Sequence, residues 1–445
     1  MIKRKKKNIA VIHSRLKCID GVSIESEKWI KTYQNLGYNV HLIAGRIGER
    51  TSRPTLIIPE MDFTNSIIRA LKKLAFESKL DKSSKQSLNA LIKIVVKKIK
   101  KELKEYIKKN DIEFLSVENA FSIPLNIPLG IALKEISEET NIPVLARHHD
   151  FYWERKYFCQ NKNISKILNS SFPPKRGNIV HVTISRIANL NLSLKRDIKA
   201  TTIPNTIDFE EIKEKDDYNK DFRKEFGIKK NQLIFLQPTR ITKRKAIERS
   251  VELVAHMNKM LKKDNVLMIT GPSLYGDAFY YETVMKRAEE LNVNIILAQD
   301  RVSLKRKRKG DKKIYSIEDA YVNVDVITFP SDIEGFGNPI LEACAYKKPL
   351  FVNKFPVFKE ISEKKFDFIT MDKKLTLTTV NKMYEVLKDH KKRERMIEKN
   401  YKIARKYYSQ ETLKRLLLKL LIKSKRRSRK IWKSLLYDME KQTTT

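Results

Sequence analysis

Phe329-Pro-Ser-Asp-Ile-Glu-Gly-Phe-Gly-Asn-Pro-Ile-Leu-Glu342 joins a strand to a helix through a glycine-bearing turn. The apolar run Val324 to Phe329 ahead of it has strand composition. Gly335 and Gly337 permit close backbone approach, Asn338 is expected at the N-cap and Pro339 at the first helical position. Such a turn delivers a helix N-terminus to the carboxyl end of a strand, where free N–H groups and the positive dipole end favour a phosphate. Glu334 precedes the turn and Glu342 lies one helical turn beyond it. Both carboxylates are therefore expected at one cleft, where they would hold hydroxyls of a ribose and a sugar. The plainer alternative is an ordinary strand-to-helix turn with a capping acid. The coincidence of two glycines, Asn-Pro and two glutamates speaks against it.

The sequence around this turn extends the α/β pattern. Upstream, Leu233 to Gln237 reads as a strand, Lys245 to Leu261 as a helix, and Val266 to Thr270 and Asn294 to Ala298 as further strands. The segment Pro238-Thr-Arg-Ile-Thr-Lys-Arg-Lys245 follows the first of these strands, so Arg240 and Lys245 can bring two cations to a diphosphate. In so basic a chain neighbouring cations also arise from composition alone, and position carries the signal.

A separate series occupies the N-terminal part. Asn8 to His13 reads as a buried strand, a loop holds Asp20, Gly21 and Val22, and a helix runs from about Ile24 to Leu36. Gly37 stops that helix and Asn39 to Ala44 follows as a second strand, a βαβ unit of the kind that builds parallel sheets with ligands at their carboxyl ends. Phe114 to Val117, Pro143 to Arg147, Ile179 to Ile184 and Ala200 to Ile203 are further strand candidates. The second of these leads into His148-His149-Asp150. His148 reads as structural, whereas for His149 a structural and a functional role are both open, its place at a strand end favouring function. Glu210 to Phe226 is charged and suits a linker with a short helix. The expected domains are 1–209, 210–400 and a helical segment 401–445 that packs back toward the first domain and carries a basic tail, Lys425 to Lys433 with Trp432. Two Rossmann-like halves with parallel sheets would face each other across a cleft.

Composition sets the bounds. The 445 residues hold 92 Lys+Arg against 53 Asp+Glu, a formal charge of +39, and 41% hydrophobic residues, enough for true cores. Lys, Ile and Asn are abundant while Gly is scarce, a bias an AT-rich genome imposes without selection on partners. No aromatic-interleaved basic sheet or recognition-helix pattern accompanies the charge, so specific nucleic-acid binding is a remote alternative. No apolar run spans a bilayer, and Ile9 to Ile12 is too short for a signal peptide. Cys18, Cys159 and Cys344 have neither disulfide nor zinc spacing and fit a cytoplasmic protein. Leu88, Leu91, Ile92, Val95, Ile99, Leu103 and Tyr106 recur at helical spacing among Lys93, Lys97, Lys100, Lys101, Lys104 and Lys108. That helix is either core-packed with a solvated lysine face or a device for lying on the anionic inner face of a membrane. Lys305 to Lys313 reads as an inserted surface loop. The chain lacks GxxxxGK, HExxH and GxSxG, and no GxGxxG follows the first strand, which removes P-loop kinases, zinc hydrolases, serine hydrolases and ordinary dehydrogenases.

Taken together, these motifs resemble glycosyltransferase family 4, the retaining nucleotide-sugar transferases of the two-domain GT-B fold, through Glu334-Gly335-Phe336-Gly337 and Glu342, two glutamates with seven residues between them. The family's strand-end cations correspond to Arg240 and Lys245, its first-domain glycine loop to Gly21, its acceptor-side His-Asp to His149 and Asp150, and its linker motif to Pro204 to Asp208. Asp20 and Thr206 stand where the family often has glycine. The resemblance implies transfer of a hexose from a UDP-, GDP- or ADP-sugar to a hydroxyl acceptor with retention, the acceptor being a sugar, a sugar acid or a lipid-linked or envelope glycan. Glu334 would bind the donor sugar and Glu342 the ribose. Phe336 and Gly337 would lend backbone amides, with Gly335 and Asn338 completing the loop. Arg240 and Lys245 would meet the leaving group, and His149 would lie near the reacting carbon. No Asp-x-Asp pair occurs, so no metal is expected. A nucleotide-sugar hydrolase or epimerase of the same fold is the enzymatic alternative.

Overall fold

Ile9, Ala10, Val11 and Ile12 are all fully buried, so the first strand is covered on both faces, as a parallel sheet flanked by helices requires. The computed structural model describes residues 7–18, 20–272 and 278–427. The tail from 428 onward, with Trp432, lies outside the described residues. The chain divides into two compact units. One comprises the residues up to Asn205 together with those from Gln410, the other Thr206–Ser409. The crossings therefore fall at 205/206 and 409/410, against 210 and 401 read from the sequence.

In the first unit the strands are β1 (Asn8–Leu16), β2 (Asn39–Ile47), β3 (Thr55–Ile57), β4 (Ile112–Glu118), β5 (Val144–His148), β6 (Ile179–Thr183) and β7 (Ala200–Thr202). They pair all-parallel in the order β3-β2-β1-β4-β5-β6-β7. The first helix spans Gly21–Asn35, and Asp20 caps it by accepting from the amides of Val22 and Ser23 at 3.0 and 2.9 Å. Gly37 ends it at φ 86°, a left-handed conformation that suits glycine. Trp29, Ile30 and Tyr33 of this helix pack with Leu413, Leu417 and Leu420 of the last helix, Gln410–Arg427, on one face of the sheet.

The basic helix spans Lys82–Lys109 and buries Leu88, Ile92, Val95, Val96, Ile99, Leu103 and Ile107 against the opposite face. It is thus core-packed. Leu91, expected in the buried stripe, is instead 47% exposed, and its neighbour Ile94 is 66% exposed. Part of the lysine face is internally paired: Lys98 with Glu60, Lys100 with Glu135 and Glu139, and Lys104 with Glu139. Among the described residues no helix is long and apolar enough to cross a membrane.

The second unit holds β8 (Ile234–Gln237), β9 (Val266–Ile269), β10 (Asn294–Leu297), β11 (Val302–Ser303), β12 (Lys307–Lys309), β13 (Lys312–Ser316), β14 (Val326–Phe329), β15 (Leu350–Asn353) and β16 (Ile369–Met371). A parallel sheet runs β10-β9-β8-β14-β15-β16, and a small sheet runs β11-β13-β12. The stretch Lys305 to Lys313 is therefore no irregular loop: β12 and β13 form an antiparallel hairpin turning at Gly310, φ 58°. Acidic neighbours hold Arg306, on Asp216 and Asp319, and Lys313, on Asp221. The charged segment after Thr206 carries only a short helix, Phe222–Glu225.

Candidate active site

In the second unit the strand order places β8 beside β14, so the loops leaving their carboxyl ends are neighbours. After β8 the chain passes Pro238 and Arg240 to a single 3-10 turn, Lys243–Lys245, which Ala246 ends at φ 48° before the helix Glu248–Leu261. After β14 it passes Glu334 to the helix Asn338–Ala345. The N-cap is Gly337, at φ 101°, rather than the expected Asn338, which is already the first helical residue. The positive φ explains the shift, since glycine alone enters that region without strain. A Cβ on Gly337 would lie 3.0 Å from Phe355 and 3.1 Å from Phe329, so aromatic rings close around the turn.

These loops bring Lys245 to Glu334. Lys245 Nζ donates to Glu334 Oε1 at 2.5 Å, and Arg244 Nη1 lies 3.2 Å from Glu334 Oε2. Lys245 is buried under the Phe329 ring, 5.2 Å from its centroid. Burial depresses its ammonium below the ordinary value despite the Glu334 carboxylate. Arg240 is exposed at the mouth of the loop and its charge acts on Lys245. Gly335 is exposed and Phe336 is buried, edge-on to Tyr408 at 5.9 Å. Glu342 sits apart from this pair and accepts from the Tyr321 hydroxyl at 2.5 Å.

Several contributors were not singled out from sequence. Arg249 donates to Pro330 O at 3.1 Å and pairs with Asp332 at 2.6 Å, so the β8 side also holds the start of the glutamate loop. Gly271, just after β9, is closely fitted: a Cβ there would lie 2.5 Å from the backbone of Thr239 and Arg240. Its signal was a glycine at the end of a strand, in a chain with only 12 glycines.

In the first unit β1, β4 and β5 end around His149. Its amide donates to Asn119 Oδ1 at 3.0 Å, and its Nε2 lies 3.4 Å from Glu118 Oε2. Asp150 accepts from Asn119 at 3.2 Å and pairs with Arg155. His148 points the other way, into the core, with Ser122 at 2.6 Å and His181 at 2.9 Å. Gly21 opens the first helix with no atom near a would-be Cβ, so the backbone there is accessible. Asp20, in the place of a second glycine, serves as the cap described above.

Beneath His149 lies a charge network absent from the sequence reading. Arg147 is fully buried, with Glu25 Oε2 at 3.3 Å, Glu118 Oε2 at 3.4 Å, Asn205 Oδ1 at 3.0 Å and the Trp29 ring at 4.5 Å. Burial works to raise both glutamates, but Lys28 and Arg147 at Glu25, and Arg147 and His149 at Glu118, hold them below the usual carboxylate value. His13 Nδ1 joins from β1 at 2.6 Å from Glu118 O, and burial lowers its pKa. In sequence Arg147 was merely the last residue of an apolar strand.

Comparison with known proteins gives the family and the fold. The family model for glycosyl transferases group 1 matches residues 219–403. A mannosylglucosylglycerate synthase of Petrotoga mobilis is 32% identical over 387 residues, 82% of this chain and 87% of that protein. One of Thermotoga maritima is 28% identical over 438 residues, 92% of this chain and 98% of that protein. Among solved structures, a glycosyltransferase from Rickettsia africae superposes with a TM-score of 0.63 at 17% identity, covering 96% of this chain and all (100%) of that one. Anabaena HepE in complex with UDP and glucose gives 0.63 at 14% identity, over 94% and 100%. The fold is GT-B, and the protein is a glycosyltransferase. Within that class the chain belongs to the group 1 glycosyl transferases.

Proposed function

We propose that the protein is a retaining hexosyltransferase of family 4 that moves mannose from a nucleoside-diphosphate mannose to a sugar acid, glucosylglycerate. The observation that carries the reaction class is the Glu334 loop seated against Lys245, with Arg240 beside it. The names of the two synthase relatives support the sugar and the acceptor.

Breaking the sugar C1–O–P linkage leaves a diphosphate anion and an oxocarbenium-like sugar. Arg240, Lys245 and the N-terminus of the helix Asn338–Ala345 meet the anion, in place of a divalent ion. Glu334 holds donor sugar hydroxyls, Glu342 the ribose, and Gly335, Phe336, Gly337 and Asn338 line the donor with backbone atoms. The acceptor hydroxyl attacks C1 on the face the diphosphate leaves. Its proton passes to the departing phosphate oxygen as the C1–O bond forms. His149, braced by Glu118, and Asp150 orient the groups at the acceptor side.

The test is a panel of GDP-, UDP- and ADP-sugars with glucosylglycerate as acceptor, read by nucleotide release and by mass spectrometry of the acceptor. Wild-type protein should yield an acceptor heavier by one hexose with retained anomeric configuration. Glu334→Ala and Lys245→Ala should each abolish transfer. Full activity in both variants refutes the site, an inverted product refutes the mechanism, and nucleotide release without a heavier product makes the protein a hydrolase.

A further inference from the structure

Arg15 of β1 and Arg46 of β2 stand directly opposite each other across neighbouring parallel strands, at the carboxyl end of the sheet. Like charges so placed are destabilising unless an anion or a carboxylate lies between or beside them. Arg15 is held rather than free. Its Nε donates to Asp62 at 2.8 Å, an Nη donates to Thr64, and its guanidinium lies 4.1 Å from the centroid of the Phe63 ring. Arg46 is exposed.

Two glycines make the surroundings of this pair. A Cβ on Gly45 would lie 1.8 Å from the Asp62 amide nitrogen, and one on Gly48 would lie 2.3 Å from the Lys17 carbonyl. The loop 61–64 and the segment 17–18 can therefore close on either side of Arg46 only because Ala44-Gly45-Arg46-Ile47-Gly48 lacks side chains at those positions. Cys18, in that closure, feels both guanidinium groups, which oppose the burial and the Asp20 charge that push its thiol up. The cradle belongs to the same edge as the site: His13, two residues before Arg15 on the same face of β1, contacts the Glu118 carbonyl, and two residues of strand span about 6.6 Å.

We propose that Arg15 and Arg46 form the subsite for the carboxylate of the acceptor's glycerate group, a proposal that rests on the sugar-acid reading above. Asp62 offsets one of the two positive charges and Asp20 is engaged as the helix cap, so the cradle suits a monoanion better than a phosphate dianion. A guanidinium fork binds a carboxylate through two parallel N–H donors, and a braced Arg15 loses little freedom in doing so.

The experiment compares glucosylglycerate with glucosylglycerol, in which CH2OH replaces the carboxylate, using GDP-mannose or whichever nucleotide mannose the donor panel selects. Wild type should prefer the acid through KM. Arg46→Gln, on an exposed side chain, should raise KM for the acid about tenfold or more, leave KM for glucosylglycerol and kcat unchanged, and so erase the preference. Arg15→Lys, which keeps charge and most of the packing but loses the fork, should reduce the preference partway; Arg15→Gln should match Arg46→Gln if it folds. A wild-type preference that survives in both Arg46→Gln and Arg15→Lys overturns the subsite while leaving the acceptor reading intact. Failure of the wild type to glycosylate the acid overturns the acceptor reading, and this proposal with it.

Discussion

Replacing Arg147 by Met would remove a guanidinium from a place closed to bulk solvent. The side chain is fully buried, and so are Glu118 and Glu25, at 0% and 1% exposure. Glu25 would keep Lys28, 2.5 Å away. Glu118 would keep only His149 at 3.4 Å, and its Oε1 already lacks a hydrogen-bond partner among the described residues. Stranding a buried charge in this way costs about 3–5 kcal/mol. Loss of the guanidinium over Trp29 adds to that, since Met refills only the aliphatic part of the Arg147 volume. For a unit of this size each kcal/mol moves the midpoint by about 2–4 °C, so the first unit should melt about 6–20 °C lower at pH 7.5.

The pH dependence carries the sign. In the wild type Glu118 has a lowered pKa, so its contribution is present above the ordinary carboxylate value and is lost as pH falls through the lowered one. In the variant, burial without the cation raises the Glu118 pKa, and the carboxylate takes up a proton on folding. The deficit relative to wild type should therefore shrink between pH 7.5 and pH 4. Scanning calorimetry at the two pH values, with Glu118→Gln in the Arg147→Met background as a partial rescue, reads both effects. A deficit under about 1 kcal/mol at pH 7.5, or one that does not depend on pH, would refute the reasoning, since that is the range of an exposed ion pair.

Two further outcomes concern other parts of the molecule. Gly271→Ala should displace the Thr239–Arg240 backbone, lowering donor turnover far more than it lowers the melting temperature of the second unit; steady-state kinetics beside thermal melts checks this, and unaltered turnover would show that the close approach has no functional weight. The buried His148–His181 pair is held neutral by burial, His181 down to about 4, so the unfolded chain binds more protons below its ordinary value of 6.5. Stability of the first unit should be full above that value and fall as pH drops from 6.5 toward 4; His181→Gln should flatten the upper part of this slope, and an unchanged profile would contradict the assignment.

Much of the fold is written in local pattern. Ile9 to Ile12, Phe114 to Val117 and Val266 to Ile269 are short apolar blocks between turn residues, and each became a parallel strand buried on both faces. The loop Phe329 to Glu342 was legible because glycine, proline and acid positions have conformational meaning in their own right. Periodicity told less about which side of a helix is covered: Leu91 shares the spacing of Leu88 and Ile92 yet faces outward, because burial depends on what lies opposite. The hairpin in Lys305 to Lys313 was hidden by charge, Arg306 and Lys313 being neutralised by Asp216, Asp221 and Asp319, up to roughly a hundred positions away along the chain. Arg147 was invisible for a related reason. A single cation at the end of a strand reads as the edge of the core, and only the folded chain brings Glu25, Glu118 and Trp29 to it.

The second unit begins and ends at one spot. Ile207 and Ser409 form a parallel bridge, and the Ile207 amide donates to the Tyr408 carbonyl at 2.8 Å. A segment whose two ends are stitched side by side is a natural cassette. Its sheet and the loops after β8 and β14 are specified entirely between the stitches, so a gene encoding 206–409 should yield a folded module by itself. On the donor site proposed above, exchange of that span between relatives would transplant sugar-nucleotide preference in one recombination, with the first unit's sheet left unbroken.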